Sequence, residues 1–391
     1  MKQILCINSG SSSLKFALFS VDQDSEKQQL EGAAERIGQS SGRLWLRQAG
    51  KFLLDRQLAF PAQHDALQAI VAALTDLHLA PLDGIGHRIV AGGPRHQQHC
   101  LIDAPLIHEL HDALAFAPLH LPAEIAAIEA VNKVWPQLPQ TACFDTAFHH
   151  NLPEVAARLP LPRNLWQEGV RKYGFHGLSY EYIVSRLADR GKAKTIIAHL
   201  GNGASMAAVA EGRCQDTTMG LTPTGGLVMG TRSGDLDPGI LLYLMAEKGY
   251  NANQLERLLN HLSGLLGISA SSGDMQTLLQ QQAQDTHAAQ AIAMFAYSAR
   301  KAIGSLMAVL GGAERLVFTG GIGEHAAEIR EAICRPLTGL GFVLDPERNQ
   351  HHNPVLSSDH SPIEICVIPT NEDQMIARHS WRLLSSVTSA S

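Results

Sequence analysis

The chain has 391 residues, 45 % of them hydrophobic and 17 % charged, with a formal net charge of −6. That composition suits a globular protein of about two or three domains with ample material for large cores. With no basic tract it argues against a nucleic-acid partner, and with no apolar run of spanning length it argues against a membrane. The start MKQILCINSG runs straight into a strand without a cleavable signal, so a cytoplasmic location is expected. Cys6, Cys100, Cys143, Cys214, Cys334 and Cys366 form no C-x-x-C pair and read as buried thiols rather than a zinc site or disulfide framework. The 19 histidines include the doublets His149-His150 and His351-His352, which read as solvated loop residues.

In chain order, INSGSSSLKFAL at residues 7 to 18 reads as a β-hairpin, with a buried strand before it and a return strand after it. Gly10 lets a ligand approach the backbone, Ser11 to Ser13 offer hydroxyls and N–H donors, and Lys15 adds charge, which together suit a polyphosphate. The Lys-Ser or Lys-Thr ending of a Walker-type loop is absent. Apolar runs ILCI, KFALF, RLWLR and KFLLD alternate with polar turns and predict an antiparallel or mixed sheet over residues 1 to about 60. Ala66 to Leu77 predicts a helix, DGIGHRIVAGG a strand ending in glycines, Ile107 to Phe116 and Ala123 to Val134 helices, and TACFDTAFH a strand leading to Asp145. A proline-rich patch at residues 151 to 166 marks a change of region.

The second half repeats this plan. Thr195 to Ala198 is strand-like, HLGNGAS is a glycine turn, and MAAVA returns as a strand. Laying INSGSSSLKFAL over AHLGNGASMAAV pairs Gly10 with Gly201 and Leu18 with Val209, which suggests a duplicated architecture. A third glycine turn, LVFTGGIGEH, is a strand opening into Gly320, Gly321 and Gly323 ahead of a helix whose N-terminal amides suit an anion. Helices are predicted at Ile240 to Lys248, Asn253 to His261 and Ala288 to Leu310; IEICVIPT is a last strand and NEDQMIARHSWRLL a closing helix. Three glycine turns, each on its own strand, fit an enzyme with two domains that close on a polyphosphate.

INSGSSSLKFAL, GHRIVAGG, APLH, FDTAFH, YGFHG, HLGNGAS, MGTRSGDLDPG, TGGIGEH and VIPTNED occur in that order over nearly the whole chain. In this the chain resembles the acetate kinase family, which includes propionate and butyrate kinases, within the superfamily of sugar kinases, actin and the seventy-kilodalton chaperones. The resemblance implies an α/β fold of two duplicated actin-like, ribonuclease H-like domains, each a mixed sheet flanked by helices, with an interdomain active-site cleft. Domain boundaries are expected at 1–147 and 148–372, with a C-terminal helix at 373–391 returning to the first domain. It implies a homodimer as well.

The implied chemistry is reversible, direct in-line transfer of the ATP γ-phosphoryl group to a small carboxylate, giving an acyl phosphate and ADP, with Mg2+, or Mn2+ in its place. Such a transfer asks for positioning and positive charge more than covalent help. The motifs carry over Arg88 and Arg232 as clamping arginines, His176 as a transition-state donor and Asp145 as the essential acid. Because acetate is already ionised at neutral pH, Asp145 is expected to orient Arg232 or a magnesium-bound water rather than to act as a base. The resemblance assigns Asn8 and Glu372 to the metal. It assigns Ser11, Ser13, Lys15, His199, Leu200, Gly201, Asn202 and Gly203 to the phosphates, and Asp274, Met275, Gln276, Gly321, Ile322, Gly323 and His325 to the nucleotide. Val90, Leu119, Phe175 and Pro223 would line an acyl pocket, with His120 beside the substrate.

Several positions depart from the family pattern. Near the acyl site stand Ala91 where histidine is usual, Leu121 and Glu124 in APLHLPAE where asparagines are usual, and Thr224 and Gly225 where Leu-Glu is usual. At the adenosine end Gln276 replaces an arginine and His325 an asparagine. These changes leave open propionate or butyrate as the acid, and another nucleotide, a looser ATP site or pyrophosphate as the donor. An ATP-hydrolysing switch without an acceptor fits less well, since a switch needs no carboxylate clamp; nor does an inactive relative fit, since every charged residue of the expected centre is present.

Overall fold

The computed structural model describes residues 1–10, 12–77, 81–189 and 191–388. The chain forms two compact units, one of residues 1–150 with 371–391 and one of residues 151–370. Glu372 therefore belongs to the first unit, not to the second as the boundary at 372 would have it.

The first unit holds β1 (Lys2–Ser9), β2 (Ser13–Val21), β3 (Glu26–Glu35), β4 (Gly42–Gln48), β5 (Lys51–Leu58), β6 (Gly84–Ile89), β7 (Cys100–Leu101) and β8 (Gln140–Phe144). They make one sheet in the order β5-β4-β3-β2-β1-β6-β8-β7. The second unit holds β9 (Thr195–Leu200), β10 (Ala204–Ala210), β11 (Arg213–Thr217), β12 (Arg315–Thr319) and β13 (Glu364–Val367), in the order β11-β10-β9-β12-β13. The segment β3-β2-β1-β6-β8 and the whole second sheet have the same topology: two antiparallel pairs on one side of a central strand and two parallel pairs on the other. The duplicated α/β fold is thus a matter of strand order and direction, beyond a shared motif.

The two glycine hairpins differ by one residue. Ser9 pairs Leu14 across a four-residue turn in the first, and Leu200 pairs Ala204 across a three-residue turn in the second. The overlay therefore holds for Gly10 and Gly201 but slips on the return strand: Leu18 faces Leu5, whose counterpart Ile196 faces Ala208, so Leu18 matches Ala208 and not Val209.

Burial explains why β1 and β6 hold the centre. In β1, Ile4, Leu5, Cys6 and Ile7 are all buried, as expected of a strand covered on both faces. Leu5, Ile7, Phe16 and Leu18 pack with Leu67 and Ile70 of the helix Gln63–Asp76 and Val131 of the helix Leu121–Val134. Each large apolar side chain buried this way contributes about 1.5–3 kcal/mol. On the opposite face the helix Glu372–Thr388 lies against β1, β6 and β8. The sequence GIGHRI alternates, sending Gly84, Gly86 and Arg88 to that helix and Ile85 and His87 away from it. A Cβ on Gly86 would lie 2.3 Å from Ser380 Oγ and 2.5 Å from Ile376 Cγ2, so glycine is what allows the helix to come so close. In the second unit the helix Thr286–Leu310, capped by Asp285 at its start and by left-handed Gly311 at its end, covers β10 and β11.

None of the six cysteines is in a disulfide, and five of them are buried. His149 is buried at 1 % exposure, which corrects its reading as a solvated residue. His352 is exposed but accepts a hydrogen bond at Nδ1 from Arg330 Nη2. No helix among the described residues is long and apolar enough to cross a membrane.

Candidate active site

In the first unit the chemistry gathers on Arg88. Parallel pairing sets Arg88 opposite Cys143, so Asp145, two residues further, falls on the same side at the C-terminal ends of adjacent strands. Arg88 Nη2 donates to Asp145 Oδ2 at 2.5 Å, Nη1 donates to Asn8 Oδ1 at 3.2 Å, and Nε lies 3.5 Å from Glu372 Oε2. Alternation in β6 brought Arg88 to the face of the C-terminal helix, and Glu372 is that helix's first residue. Burial opposes the charge on Arg88, but Asp145 and Glu372 outweigh it and raise its pKa, fixing the cation. Burial also pushes the Asp145 carboxyl up, with Arg88 pulling it back. Asp145 thus orients Arg88; in the second unit Arg232 donates from Nη1 to the Pro223 carbonyl at 2.6 Å.

Around this cluster Val90 is buried, while Leu119 and His120 are half-buried where the helix Leu121–Val134 begins. Lys15 is exposed on β2 and pairs with Asn8 in the hairpin register. Ser13 opens β2 and its carbonyl accepts the Gly10 N–H at 2.8 Å; Ser11 lies outside the described residues. Asn8 and Glu372 offer oxygen donors only, a set that suits a hard cation keeping most of its waters, and the buried Oδ1 of Asp145 has no hydrogen-bond partner among the described residues. Magnesium fits these residues.

In the second unit the Arg232 guanidinium and the His176 imidazole flank Gly203. A Cβ there would lie 2.6 Å from Arg232 Nη2 and 3.4 Å from His176 Nε2, so only glycine leaves both groups in place. His176 has φ of 58° and stands at the start of the helix Gly177–Arg186. Such a left-handed histidine is uncommon and marks a constrained site. Its Nδ1 is 2.8 Å from Ser205 Oγ, and its ring stacks on that of His199 with centroids 4.3 Å apart. His199 Nδ1 is in turn 2.8 Å from Ser179 Oγ, to which Thr370 Oγ1 donates. Phe175 and Pro223 are both buried in this unit.

A cavity of about 780 Å³ in the same unit is lined by Gly201, Asn202, Asp274, Met275, Gln276, Gly321, Ile322 and His325, all of them expected nucleotide or phosphate contacts. Leu279, Gln280, Ala326 and Glu328 complete the wall and were not anticipated, although Leu279 and Gln280 lie about one helical turn beyond Met275 and Gln276. Leu200 and Gly323 are not on the wall. Leu200 is core, and Gly323 is buried where an added Cβ would come into van der Waals contact with Phe318 and the Ala198 carbonyl. Asp274 caps the helix Met275–Gln281 by accepting from Thr277 N and Oγ1, which lowers its pKa. The turn Gly320–His325 is less open to an anion than its glycines suggest, because the Gly320 N–H donates to Glu324 Oε1 at 2.8 Å. Arg330, wholly buried, donates to the carbonyls of Gly323 and Glu324 and anchors that turn from below.

A duplicated α/β fold with glycine hairpins, a nucleotide-sized cavity and an arginine held among polar groups in each unit defines a phosphotransferase of the actin-like class. The sequence profile of the Acetokinase family matches residues 3–378, and the chain belongs to that family. An acetate kinase of Rhodopseudomonas palustris is 45 % identical over 97 % of this chain and 98 % of its own. A propionate kinase structure from Francisella tularensis superposes with a TM-score of 0.91 at 39 % identity, covering 97 % of this chain and 99 % of its own. An acetate kinase structure from Porphyromonas gingivalis gives 0.87 at 34 % identity, covering 98 % and 100 %. The chain is a kinase of the acetate kinase type.

Proposed function

We propose that this protein transfers the γ-phosphoryl group of ATP to acetate, reversibly and in line. The bond between the γ-phosphorus and the bridging oxygen of ADP breaks as an acetate oxygen bonds to phosphorus, giving acetyl phosphate. The observation that carries this reading is Arg88, held on three sides by Asp145, Asn8 and Glu372. A guanidinium fixed before substrate arrives needs no reorganisation during the reaction, and its planar fork suits a carboxylate or phosphoryl group. The first unit supplies this cation with the apolar Val90 and Leu119. The second supplies Arg232, His176 and His199 for charge on the transferring oxygens, Phe175 and Pro223 for the acyl group, and the cavity for the nucleotide. Lys15 and Ser13 complete the phosphate contacts. Asn8 and Glu372 would hold Mg2+, or Mn2+ in its place, which when bound neutralises phosphate charge. Six cysteines without a disulfide among them are in keeping with the cytoplasm. The apolar, uncovered helix Pro238–Lys248 supports a homodimer.

The test is acyl phosphate formation trapped as hydroxamate, with acetate, propionate and butyrate as acids and ATP or pyrophosphate as donors. Product with acetate and ATP is expected. Product only with pyrophosphate, or none with acetate, would overturn the reading. The propionate arm matters because the Francisella structure bears that name.

A further inference from the structure

Glu124 takes no part in the chemistry above, yet its carboxyl sits at the edge of the Arg88 cluster. It lies in the first turn of the helix Leu121–Val134 and is 1 % exposed. Oε2 accepts the Val90 N–H at 3.0 Å, while Oε1 has no hydrogen-bond partner among the described residues. The backbone it grips is the one that carries Arg88. On that stretch the Ile89 carbonyl accepts the Asp145 N–H at 2.9 Å, and one residue later Val90 is held by Glu124. Residues 88 to 90 are thus tied to both neighbouring elements.

The charges decide the state of this carboxyl. Arg88 already faces Asp145 and Glu372. A third carboxylate, fully buried with one neutral hydrogen bond, would be an uncompensated charge, and such a group takes up a proton instead. We propose that Glu124 is a positioning residue that holds the Val90 backbone, and through it Arg88, as a neutral carboxylic acid, and that on ionising it keeps the Val90 hydrogen bond but adds a third carboxylate charge that draws the Arg88 guanidinium away from Asp145 and Glu372. Burial pushes its carboxyl up to about 8, with Arg88 and the Val90 N–H opposing and Asp145 adding to the rise. In the neutral form Oε2 is the carbonyl oxygen that accepts from Val90 and Oε1 carries the proton.

Its bearing on turnover rests on the phosphoryl-transfer reading, whereas the protonation state does not, so the experiment reads both. Glu124→Gln keeps the shape and the acceptor but cannot ionise; Glu124→Leu removes the acceptor. The infrared difference spectrum of wild type minus Glu124→Gln should show a protonated-carboxyl carbonyl band at pH 7 that is gone at pH 10. In the hydroxamate assay wild-type kcat should fall about tenfold from pH 7 to pH 9, as expected of an acid with a pKa near 8. Glu124→Gln should lose that alkaline limb, and Glu124→Leu should lose kcat at pH 7 with the nucleotide KM little changed. Absence of the infrared band at pH 7, or a wild-type alkaline limb in Glu124→Gln, would overturn the proposal. If the protein made no acyl phosphate, the band would still decide the protonation state.

Discussion

Asp145 Oδ2 lies 2.5 Å from Arg88 Nη2, and the carboxyl is wholly buried. A base poised to take a proton would not be tied so tightly to a guanidinium, and an already ionised carboxylate acceptor has no proton to give. The pair acts as one unit in which Asp145 aims Arg88. Asp145→Asn should therefore lower kcat by about a hundredfold or more, the scale of losing one preorganised charge-stabilising group. The loss should not be relieved at higher pH, as loss of a general base would be in part. Near-normal turnover in the hydroxamate assay would reduce Asp145 to a structural role.

Gly203→Ala tests the second unit. The added methyl would meet Arg232 Nη2 at 2.6 Å, and the guanidinium, a flexible side-chain end, can swing away. Folding should be almost unaffected, with the unfolding midpoint little moved. Catalysis should fall on the order of a hundredfold, because displacing a charged group by about an ångström has that consequence. A variant with unchanged kcat would show that the position of Arg232 does not matter.

Much of this was legible in the chain. The hairpins and glycine turns announce themselves because buried strands are continuous apolar runs and tight turns need glycine. β3 was missed because EKQQLEGAAE starts with polar residues and buries a side chain first at Leu30. β11, RCQDT, reads as polar for the same reason. The motifs named Arg88 and Asp145 but not their pairing, since that comes from strands adjacent in space and 57 residues apart in sequence. Glu124 was visible only as a departure. Its meaning depends on burial against Val90, which no local pattern encodes.

His87 predicts an acid-side loss of stability. Its ring is buried on β6, with Nε2 2.8 Å from Gln140 Oε1, and burial lowers its pKa to about 4 despite that hydrogen bond. The unfolded chain binds the proton near pH 6.5, so between these values it holds more protons than the folded one. The contribution is fully present above about pH 6.5 and is lost as pH falls toward 4, by up to about 3 kcal/mol. Urea unfolding from pH 7 to pH 4 should show this slope, and His87→Phe should flatten it. An unchanged slope in the variant would assign it to other groups.

Arg330 predicts a link between stability and nucleotide binding. Its guanidinium satisfies Asn349 Oδ1, the carbonyls of Gly323, Glu324 and Asn349, and His352 Nδ1, with no carboxylate among these hydrogen-bond partners. Replacing it with methionine keeps the bulk but strands buried acceptors, at about 1–3 kcal/mol each. Arg330→Met should unfold at clearly lower urea. Where it folds, it should raise the ATP KM more than the acetate KM, since the anchored turn borders the cavity. Equal changes in both would detach Arg330 from the nucleotide.

The helix Pro238–Lys248 bears on assembly. PGILLYLMAEK has no buried residue, with Leu242 at 68 % and Tyr243 at 52 % exposure, and Met294 and Tyr297 of another helix are exposed as well. Large uncovered apolar patches of this kind mark interaction surfaces. A second copy of the chain meeting this helix with its own would bury both faces at once. Sedimentation should give twice the chain mass, and Leu242→Glu with Met245→Glu should shift it toward the monomer. A wild type that sediments as a monomer would mean that this face serves a different partner.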